Sequence, residues 1–210
     1  MLPRLYAILD SETLDARGLD ALGILEIWLD AGVRLVQIRA KKLSSGALLE
    51  LTDRALLLTR AVGATLIVND RADIARMSGA NGVHVGQDDL PPRVVRRVIG
   101  DDKIVGLSTH TDEQVSEALR EPVSYIAIGP VFPTITKTGS SDPAVGLTGV
   151  KRAAELASTS ALPVVAIGGI TLEAAPAVLS AGAASVAVIT ALLDGDPRTT
   201  ALAWIRALRI

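Results

Sequence analysis

The sequence contains no cysteine and very few aromatic residues, and each shortage excludes a kind of site. Without cysteine, the chain forms no disulfide bond, no zinc–thiolate site and no cysteine nucleophile. Its Trp, Tyr and Phe residues number only 2, 2 and 1, too few for a platform on which nucleic-acid bases stack. Oxygen and nitrogen side chains must therefore carry the chemistry.

The sequence also lacks an excess of one charge and long apolar runs. Lysine plus arginine (21) nearly equal aspartate plus glutamate (23), and no block of like charge offers the positive surface that a nucleic acid needs. No stretch reaches the about 18 apolar residues of a membrane span, and charge interrupts the first ten residues too soon for a secretion signal. We expect a cytoplasmic protein that binds neither nucleic acid nor a membrane.

What the sequence does contain is an alternation of short runs rich in Val, Ile and Leu with longer segments of helical spacing. The candidate strands are residues 5–9, 35–38, 66–68, 83–85, 104–107, 125–128, 164–167 and 186–189. The candidate helices are residues 19–30, 45–61, 111–119, 147–156, 172–181 and 199–208, with weaker ones after Asn69 and Pro91. Ser45 and Thr111 are candidate N-caps.

An unbroken strand–helix alternation implies parallel strands, and eight such units close a barrel. We therefore predict a compact (β/α)8 barrel, with residues 1–210 forming a single domain. The alternative is an open doubly wound sheet. That fold needs a glycine-rich phosphate loop after the first strand, where this sequence has Asp10, Ser11 and Glu12 instead.

The carboxyl ends of the strands form the active-site face of such barrels, so they are the places to look for chemistry. After the second strand candidate, alternation sends Gln37, Arg39 and Lys41 to one side. Arginine grips phosphate oxygens with two nitrogens and lysine adds a point charge, so this set suits a polyanion. The alternative is a strand end with solvated charges.

Carboxylates follow the third and fourth strand candidates. Asp70 follows the third, and Asp88 and Asp89 follow the fourth. Beside a phosphate-binding pair, two carboxylates suit Mg²⁺, which completes its shell with phosphate oxygens and water. The alternative is that Asp70 and Asp89 cap the next helices, and alternation does not decide between Asp88 and Asp89. His84, inside the fourth strand, is expected to be a hydrogen-bonded interior or rim residue.

The connection after the sixth strand candidate, residues 129–143, is the longest in the chain. Its hydroxyls at Thr134 and Thr136 and the amine of Lys137 suit an anion. Long loops in compact domains often act as lids, so we expect this loop to be mobile without ligands and to close over them.

Glycines and a hydroxyl follow the last two strand candidates. Gly168 and Gly169 follow the seventh, and Ile189 and Thr190 end the eighth. Glycine lets backbone N–H groups approach a phosphate, and the loops after these two strands commonly bind one in such barrels. The pattern predicts a second anion site opposite the first.

Taken together, seven segments in order along the chain resemble the thiamine-phosphate synthase family. They are Gln37-x-Arg39-x-Lys41, Asn69-Asp70-Arg71, Gly82-Val-His84-x-Gly86-Gln87-x-Asp89, Gly106-Leu-Ser108, Gly129-Pro-Val-Phe-Pro-Thr-x-Thr-Lys137, Ile167-Gly-Gly-Ile170 and Ile189-Thr190. One Gly-Gly pair is weak evidence, but seven segments in register are specific. Enzymes of that family join 4-amino-2-methyl-5-hydroxymethylpyrimidine diphosphate to a thiazole phosphate, giving thiamine phosphate and pyrophosphate.

The resemblance implies a role for each matched residue. The residues it assigns to the pyrimidine diphosphate are Gln37, Arg39, Lys41, Asn69, Ser108 and Lys137, of which Arg39, Lys41 and Lys137 would stabilise the leaving group. It makes Asp70 and Asp89 the ligands of a Mg²⁺ cofactor, which selects Asp89 over Asp88. The residues it assigns to the thiazole phosphate are Thr134, Thr136, Gly169, Ile189 and Thr190.

Two positions depart from the commonest pattern of the family. Ala40 replaces a frequent acidic residue and should point away from the ligand. Thr190 stands where serine is usual, so it keeps the hydroxyl but adds a methyl group next to the phosphate.

Two other functions are open to such a barrel. A thiazole tautomerase, a related barrel, would have a histidine after the glycine that ends the sixth strand, and this sequence has Pro130 after Gly129. A silent barrel that senses a thiamine precursor would have lost ionic residues such as Asp70, Asp89 and Lys137, all of which are present.

Overall fold

The chain forms a closed barrel of parallel strands, which confirms the predicted fold class. The structure is a computed structural model and describes residues 2–134 and 143–208. The strands are β1 (Leu5–Asp10), β2 (Leu35–Arg39), β3 (Thr65–Asn69), β4 (Gly82–Val85), β5 (Ile104–Thr109), β6 (Tyr125–Ile128), β7 (Val164–Ile167) and β8 (Ser185–Val188). Each strand pairs with the next, and β8 pairs with β1.

Helices surround the barrel and return the chain from one strand to the next. They are α1 (Ser11–Ala16), α2 (Ala21–Ala31), α3 (Ser45–Ala61), α4 (Ala72–Ser78), α5 (Pro92–Ile99), α6 (Asp112–Ala118), α7 (Gly146–Ser158), α8 (Ala175–Ser180) and α9 (Pro197–Ala207). A short 3-10 turn, Thr190–Leu192, follows β8. No helix in the described ranges combines the length and the apolar character that crossing a bilayer requires.

The helix boundaries follow local capping, with one correction to the prediction. Thr111 caps α6 as predicted, through the backbone N–H of Gln114. The cap of α3 is Ser44 rather than Ser45, because the Ser44 hydroxyl is the group that accepts from the N–H of Ala47, at 3.3 Å. Helix α1 was not predicted, since six residues are too few for a periodic pattern to emerge.

Alternation along the strands divides the apolar side chains into two cores. Side chains that point outward pack under the helices and form the larger core. Side chains that point inward fill the barrel, and the apolar ones are Tyr6, Ile8, Leu35, Ile67, Tyr125, Ala127, Val165 and Ala187. Further along the strands, toward their carboxyl ends, the inward positions become polar, at Gln37, Arg39, Asn69, His84 and Ser108. The fold therefore gathers polar side chains at one end of the barrel.

Candidate functional site

Arg39, at the end of β2, is held in place by a buried carboxylate. Its guanidinium pairs with Asp10, whose side chain is 3% exposed. The second carboxylate oxygen of Asp10 accepts from the backbone N–H and the hydroxyl of Thr13, at 2.9 and 2.6 Å. Asp10 is a site residue that the sequence analysis missed. Its position at the end of the first strand was the available signal, because strand ends form the active-site face.

Lys41, Asp70 and Asp89 form the charged cluster that the sequence predicted. The Lys41 amine lies 3.1 Å from an Asp70 oxygen, and the side chains of Asp70 and Asp89 are within hydrogen-bonding reach of each other. Burial, and then the neighbouring Asp89 charge, raise the pKa of Asp70 above its ordinary value, against the opposing effect of Lys41. Two carboxylates placed so close together are a natural pair of ligands for a divalent cation.

The backbone shows that neither carboxylate serves mainly as a helix cap, the alternative that the sequence left open. The cap positions of α4 and α5 are Arg71 and Pro91, and neither has a side-chain cap bond. Asp70 has a φ of 61°, an uncommon conformation that Asp and Asn tolerate best. Asp89 accepts from the N–H of Gly86 at 2.7 Å, within its own turn.

A chain of hydrogen bonds inside the barrel connects two other predicted residues, Gln37 and Ser108. The Gln37 amide donates to the Tyr6 hydroxyl at 2.8 Å, and the hydroxyls of Tyr6 and Tyr125 are 3.0 Å apart. His84 lies 2.9 Å from Tyr125 through Nδ1 and 2.8 Å from Ser108 through Nε2. As predicted, His84 is a hydrogen-bonded interior residue. The two tyrosines were not predicted, because no local pattern in the sequence shows that side chains of strands 1 and 6 meet across the barrel interior.

On the other side of the barrel, the glycine pair after β7 packs against the loop that follows β6. Gly168 and Gly169 have φ values of 99° and 64°, a region that favours glycine. The backbone carbonyls of Phe132 and Pro133 lie 2.6 Å from where a side chain on Gly169 would begin. Thr190 begins the 3-10 turn directly after Ile189. The glycine turn after β7 (Gly168 and Gly169), the loop after β6 and Thr190 are therefore neighbours at the carboxyl ends of β6, β7 and β8.

The base of the loop after β6 is part of the barrel rim. The N–H groups of Val131 and Phe132 donate to the carbonyls of Ile167 and Gly168, both at 2.9 Å. His110 Nδ1 lies 2.5 Å from the carbonyl of Gly129. These bonds attach residues 129–132 to the rim of the barrel, and closure of the loop over its ligands stays a prediction. Thr134 is described, whereas Thr136 and Lys137 lie outside the described residues.

The order of strands in the closed barrel separates the two groups. The cationic and acidic cluster follows β2, β3 and β4, and the glycine turn and Thr190 follow β7 and β8. These positions face each other across the mouth. The first group suits a diphosphate with a metal ion, and the second suits a phosphate bound by backbone N–H groups.

Comparison with known proteins finds similar sequences along almost the whole chain. The family model described as thiamine monophosphate synthase matches residues 5–192. The thiamine-phosphate synthase of Roseiflexus castenholzii is 41% identical over 97% of this chain and 88% of its own length. That of Acidothermus cellulolyticus is 44% identical over 94% of this chain and 91% of its own length.

A solved structure shows the same similarity in three dimensions. The thiamine phosphate pyrophosphorylase from Pyrococcus furiosus superposes with a TM-score of 0.86 at 30% identity, and the match covers 98% of this chain and 95% of that one. Sequence, fold and mouth geometry lead to one conclusion: the chain belongs to the thiamine monophosphate synthase family.

Proposed function

We propose that the protein joins 4-amino-2-methyl-5-hydroxymethylpyrimidine diphosphate to a thiazole phosphate, giving thiamine phosphate and pyrophosphate. The observation that carries this proposal is the cluster of Lys41, Asp70 and Asp89 at the ends of neighbouring strands. It combines a cation for the diphosphate with two carboxylates for a metal ion, in a chain whose relatives are named thiamine-phosphate synthases. We place the reaction in the cytoplasm, as expected from the sequence.

The residues present fit a Mg²⁺ ion. Asp70 and Asp89 provide two adjacent carboxylates. A site made of three or more His, Asp or Glu side chains is absent from the residues that the structure describes. Mg²⁺ commonly takes one or two protein carboxylates and fills its other positions with phosphate oxygens and water. When bound, the ion would neutralise charge on the diphosphate.

The protein's own cations act on the leaving group. The bond between the pyrimidine methylene carbon and the diphosphate oxygen breaks, and its electron pair leaves with the pyrophosphate. Arg39, Lys41 and Lys137 stabilise the negative charge that builds there. Asp10 fixes the direction of the Arg39 guanidinium, so that the group is oriented before the substrate arrives. Gln37, Asn69 and Ser108 bind the remainder of this substrate.

The second substrate binds across the mouth and supplies the nucleophile. Its thiazole nitrogen carries a lone pair and forms the new bond to the methylene carbon, so no general base is required. Its phosphate would be bound by the backbone at Gly169 and by the hydroxyl of Thr190. The other thiazole-side residues in this proposal are Thr134, Thr136 and Ile189. Holding both substrates and excluding water prevents hydrolysis of the electron-poor methylene.

A single assay separates this function from that of a thiazole tautomerase. Purified protein is supplied with the thiazole phosphate alone, and then with both substrates and Mg²⁺, while the thiazole tautomers and thiamine phosphate are quantified. We expect thiamine phosphate only in the complete mixture. Interconversion of thiazole tautomers without the pyrimidine substrate, and no thiamine phosphate from the complete mixture, would disprove the proposal.

A further inference from the structure

The chain of hydrogen bonds inside the barrel has a direction, and that direction is fixed at its first member. Gln37 meets the Tyr6 hydroxyl through its amide nitrogen, and an amide nitrogen only donates. The Tyr6 oxygen therefore accepts from Gln37 and still has one hydrogen to give. Among the described residues, the other partner of this buried hydroxyl is Tyr125, so Tyr6 donates to Tyr125.

The donors and acceptors of the remaining hydrogen bonds, from Tyr125 to Ser108, follow from the same reasoning. Tyr125 accepts from Tyr6 and gives its own hydrogen to His84 Nδ1. With Nδ1 accepting, the neutral imidazole carries its hydrogen on Nε2 and donates it to the Ser108 oxygen. Ser108 keeps its own hydroxyl hydrogen for a ligand. With the Gln37 amide nitrogen toward Tyr6, the reverse direction would leave the hydroxyl hydrogen of Tyr6 buried without an acceptor, which costs free energy.

The surroundings keep both tyrosine hydroxyls protonated, as these hydrogen bonds require. Both rings are completely buried, and burial raises the pKa of each hydroxyl well above its ordinary value. The His84 and Tyr125 rings stack, with centroids 5.5 Å apart. Gly106 makes room for them, because a Cβ there would lie 2.1 Å from Tyr125 Cζ and 2.5 Å from His84 Nδ1.

We propose that Tyr6, Tyr125 and His84 are positioning residues, which hold Gln37 in one orientation and present Ser108 as a hydrogen-bond donor to an acceptor atom of the substrate. They act through Gln37 and Ser108. The identity of that substrate as the pyrimidine diphosphate rests on the proposed function, but the direction of the chain does not.

The direction is measured on the ligand-free protein by ¹⁵N NMR of labelled histidine. The sequence has only 2 histidines, and the second provides an internal contrast, because His110 Nδ1 faces the Gly129 carbonyl and must donate. We expect His84 to carry its hydrogen on Nε2 and His110 on Nδ1. A hydrogen on His84 Nδ1 would mean that the chain runs the other way and would overturn the proposal. This result does not depend on whether thiamine phosphate is made.

Two variants test the individual links. Tyr6→Phe removes the acceptor for Gln37 but leaves Tyr125 as donor to His84, so the His84 tautomer should persist. Tyr125→Phe removes the donor to Nδ1, so the tautomer preference should weaken. If Tyr125→Phe left the preference unchanged while Tyr6→Phe abolished it, the proposed order of links would be wrong.

Steady-state kinetics show whether these hydrogen bonds contribute to substrate binding. We expect both variants to raise the KM for the pyrimidine diphosphate by about tenfold, the effect of losing one or two hydrogen bonds, and to leave the KM for the thiazole phosphate within about twofold. Thr52→Val is the matched control, because it deletes a buried hydroxyl that only serves α3, and it should change neither KM. Equal changes in both KM values, or no change in either, would contradict a positioning role.

Discussion

At the scale of one residue, Asp70 shows how a proposed metal ligand can destabilise the ligand-free fold. Burial and the neighbouring Asp89 raise its pKa, and Lys41 only partly offsets them. The ionised carboxylate therefore costs stability at neutral pH, and this cost declines as the pH falls below the raised pKa of the folded state and vanishes near the ordinary pKa of the unfolded chain. A bound divalent cation would reverse the balance by favouring the ionised form.

Asp70→Asn should separate stability from activity. Asn tolerates the φ of 61° at this position, so the fold should persist and unfold near neutral pH at the same temperature as the wild type or higher. The difference in unfolding temperature between the variant and the wild type should become smaller at acidic pH. Mg²⁺-dependent turnover should fall by about 100-fold or more, as for loss of a metal-binding group. Thermal unfolding across pH and initial rates across Mg²⁺ concentration measure both effects.

Asp73→Asn is the matched control for this variant. Asp73 pairs with Arg71 on the exposed side of α4, and the pKa of its carboxyl is lowered by that pair. Its loss should leave turnover unchanged and, if anything, lower the unfolding temperature. An Asp70→Asn variant with activity within about threefold of the wild type at limiting Mg²⁺ would refute its assignment as a metal ligand.

Asp10 carries a second prediction at this scale. Asp10→Asn keeps an acceptor for Thr13 but removes the charge that faces Arg39. We expect a loss of about 1–3 kcal/mol in unfolding free energy and a higher KM for the pyrimidine diphosphate. Asp196→Asn is the control, because Asp196 makes the same two bonds to Thr199, at 2.8 and 2.6 Å, on the exposed end of α9. Equal losses in the two variants would show that the pair with Arg39 contributes nothing.

At the scale of elements, the loop after β6 and the glycine turn after β7 form one unit. Backbone bonds from Val131 and Phe132 to Ile167 and Gly168 join them, and Gly169 lies directly under the loop. From the sequence, Gly169 was expected to let backbone N–H groups approach a phosphate. The structure adds that it would first meet the loop backbone, so this glycine positions the loop as well.

Gly169→Ala should therefore raise the KM for the thiazole phosphate, beyond its effect on the free energy of unfolding. Gly63→Ala isolates the effect of the contact, since Gly63 has a φ of 66° and open space around it. Both variants should lose about 1 kcal/mol or more from the strained conformation, and only Gly169→Ala should raise the KM for the thiazole phosphate. A rise confined to the pyrimidine diphosphate would show that the two anion sites are wrongly divided.

Elements were the easiest part of the structure to predict from the sequence. The runs at 125–128 and 164–167 coincide with β6 and β7, and 45–61 coincides with α3, because buried strands and amphipathic helices leave clear periodic patterns. The cap of α3 was misplaced by one residue, since Ser44 and Ser45 are equally good caps by type. The ion pair of Asp10 with Arg39 depends on the register of neighbouring strands, and the link between Tyr6 and Tyr125 depends on a contact across the barrel. No local sequence pattern encodes either of them.

At the scale of the whole molecule, closure of the barrel places the two proposed anion sites on opposite sides of one mouth. This arrangement was predicted from the order of the strands together with the glycines and the hydroxyl that follow the last two of them. Substitutions in two separate sites should therefore act independently on binding, because the free-energy changes caused by substitutions at distant, independent positions add.

Additivity can be measured with Lys41→Gln, Thr190→Val and the double variant. We expect Lys41→Gln to raise the KM for the pyrimidine diphosphate by about tenfold and Thr190→Val to raise that for the thiazole phosphate by a similar factor, about one lost hydrogen bond each. The double variant should show both changes at their single-variant size. Thr190→Ser, which keeps the hydroxyl, should be close to wild type. Large crossed effects would indicate one shared anion site.

The measurement that tests the central claim most directly is the stoichiometry of the complete reaction. Purified protein, both substrates and Mg²⁺ are combined, and thiamine phosphate and pyrophosphate are quantified in the same samples over time. The account predicts that the two products appear together in equal amounts. Pyrophosphate released without matching thiamine phosphate, or neither product at saturating substrates, would contradict it.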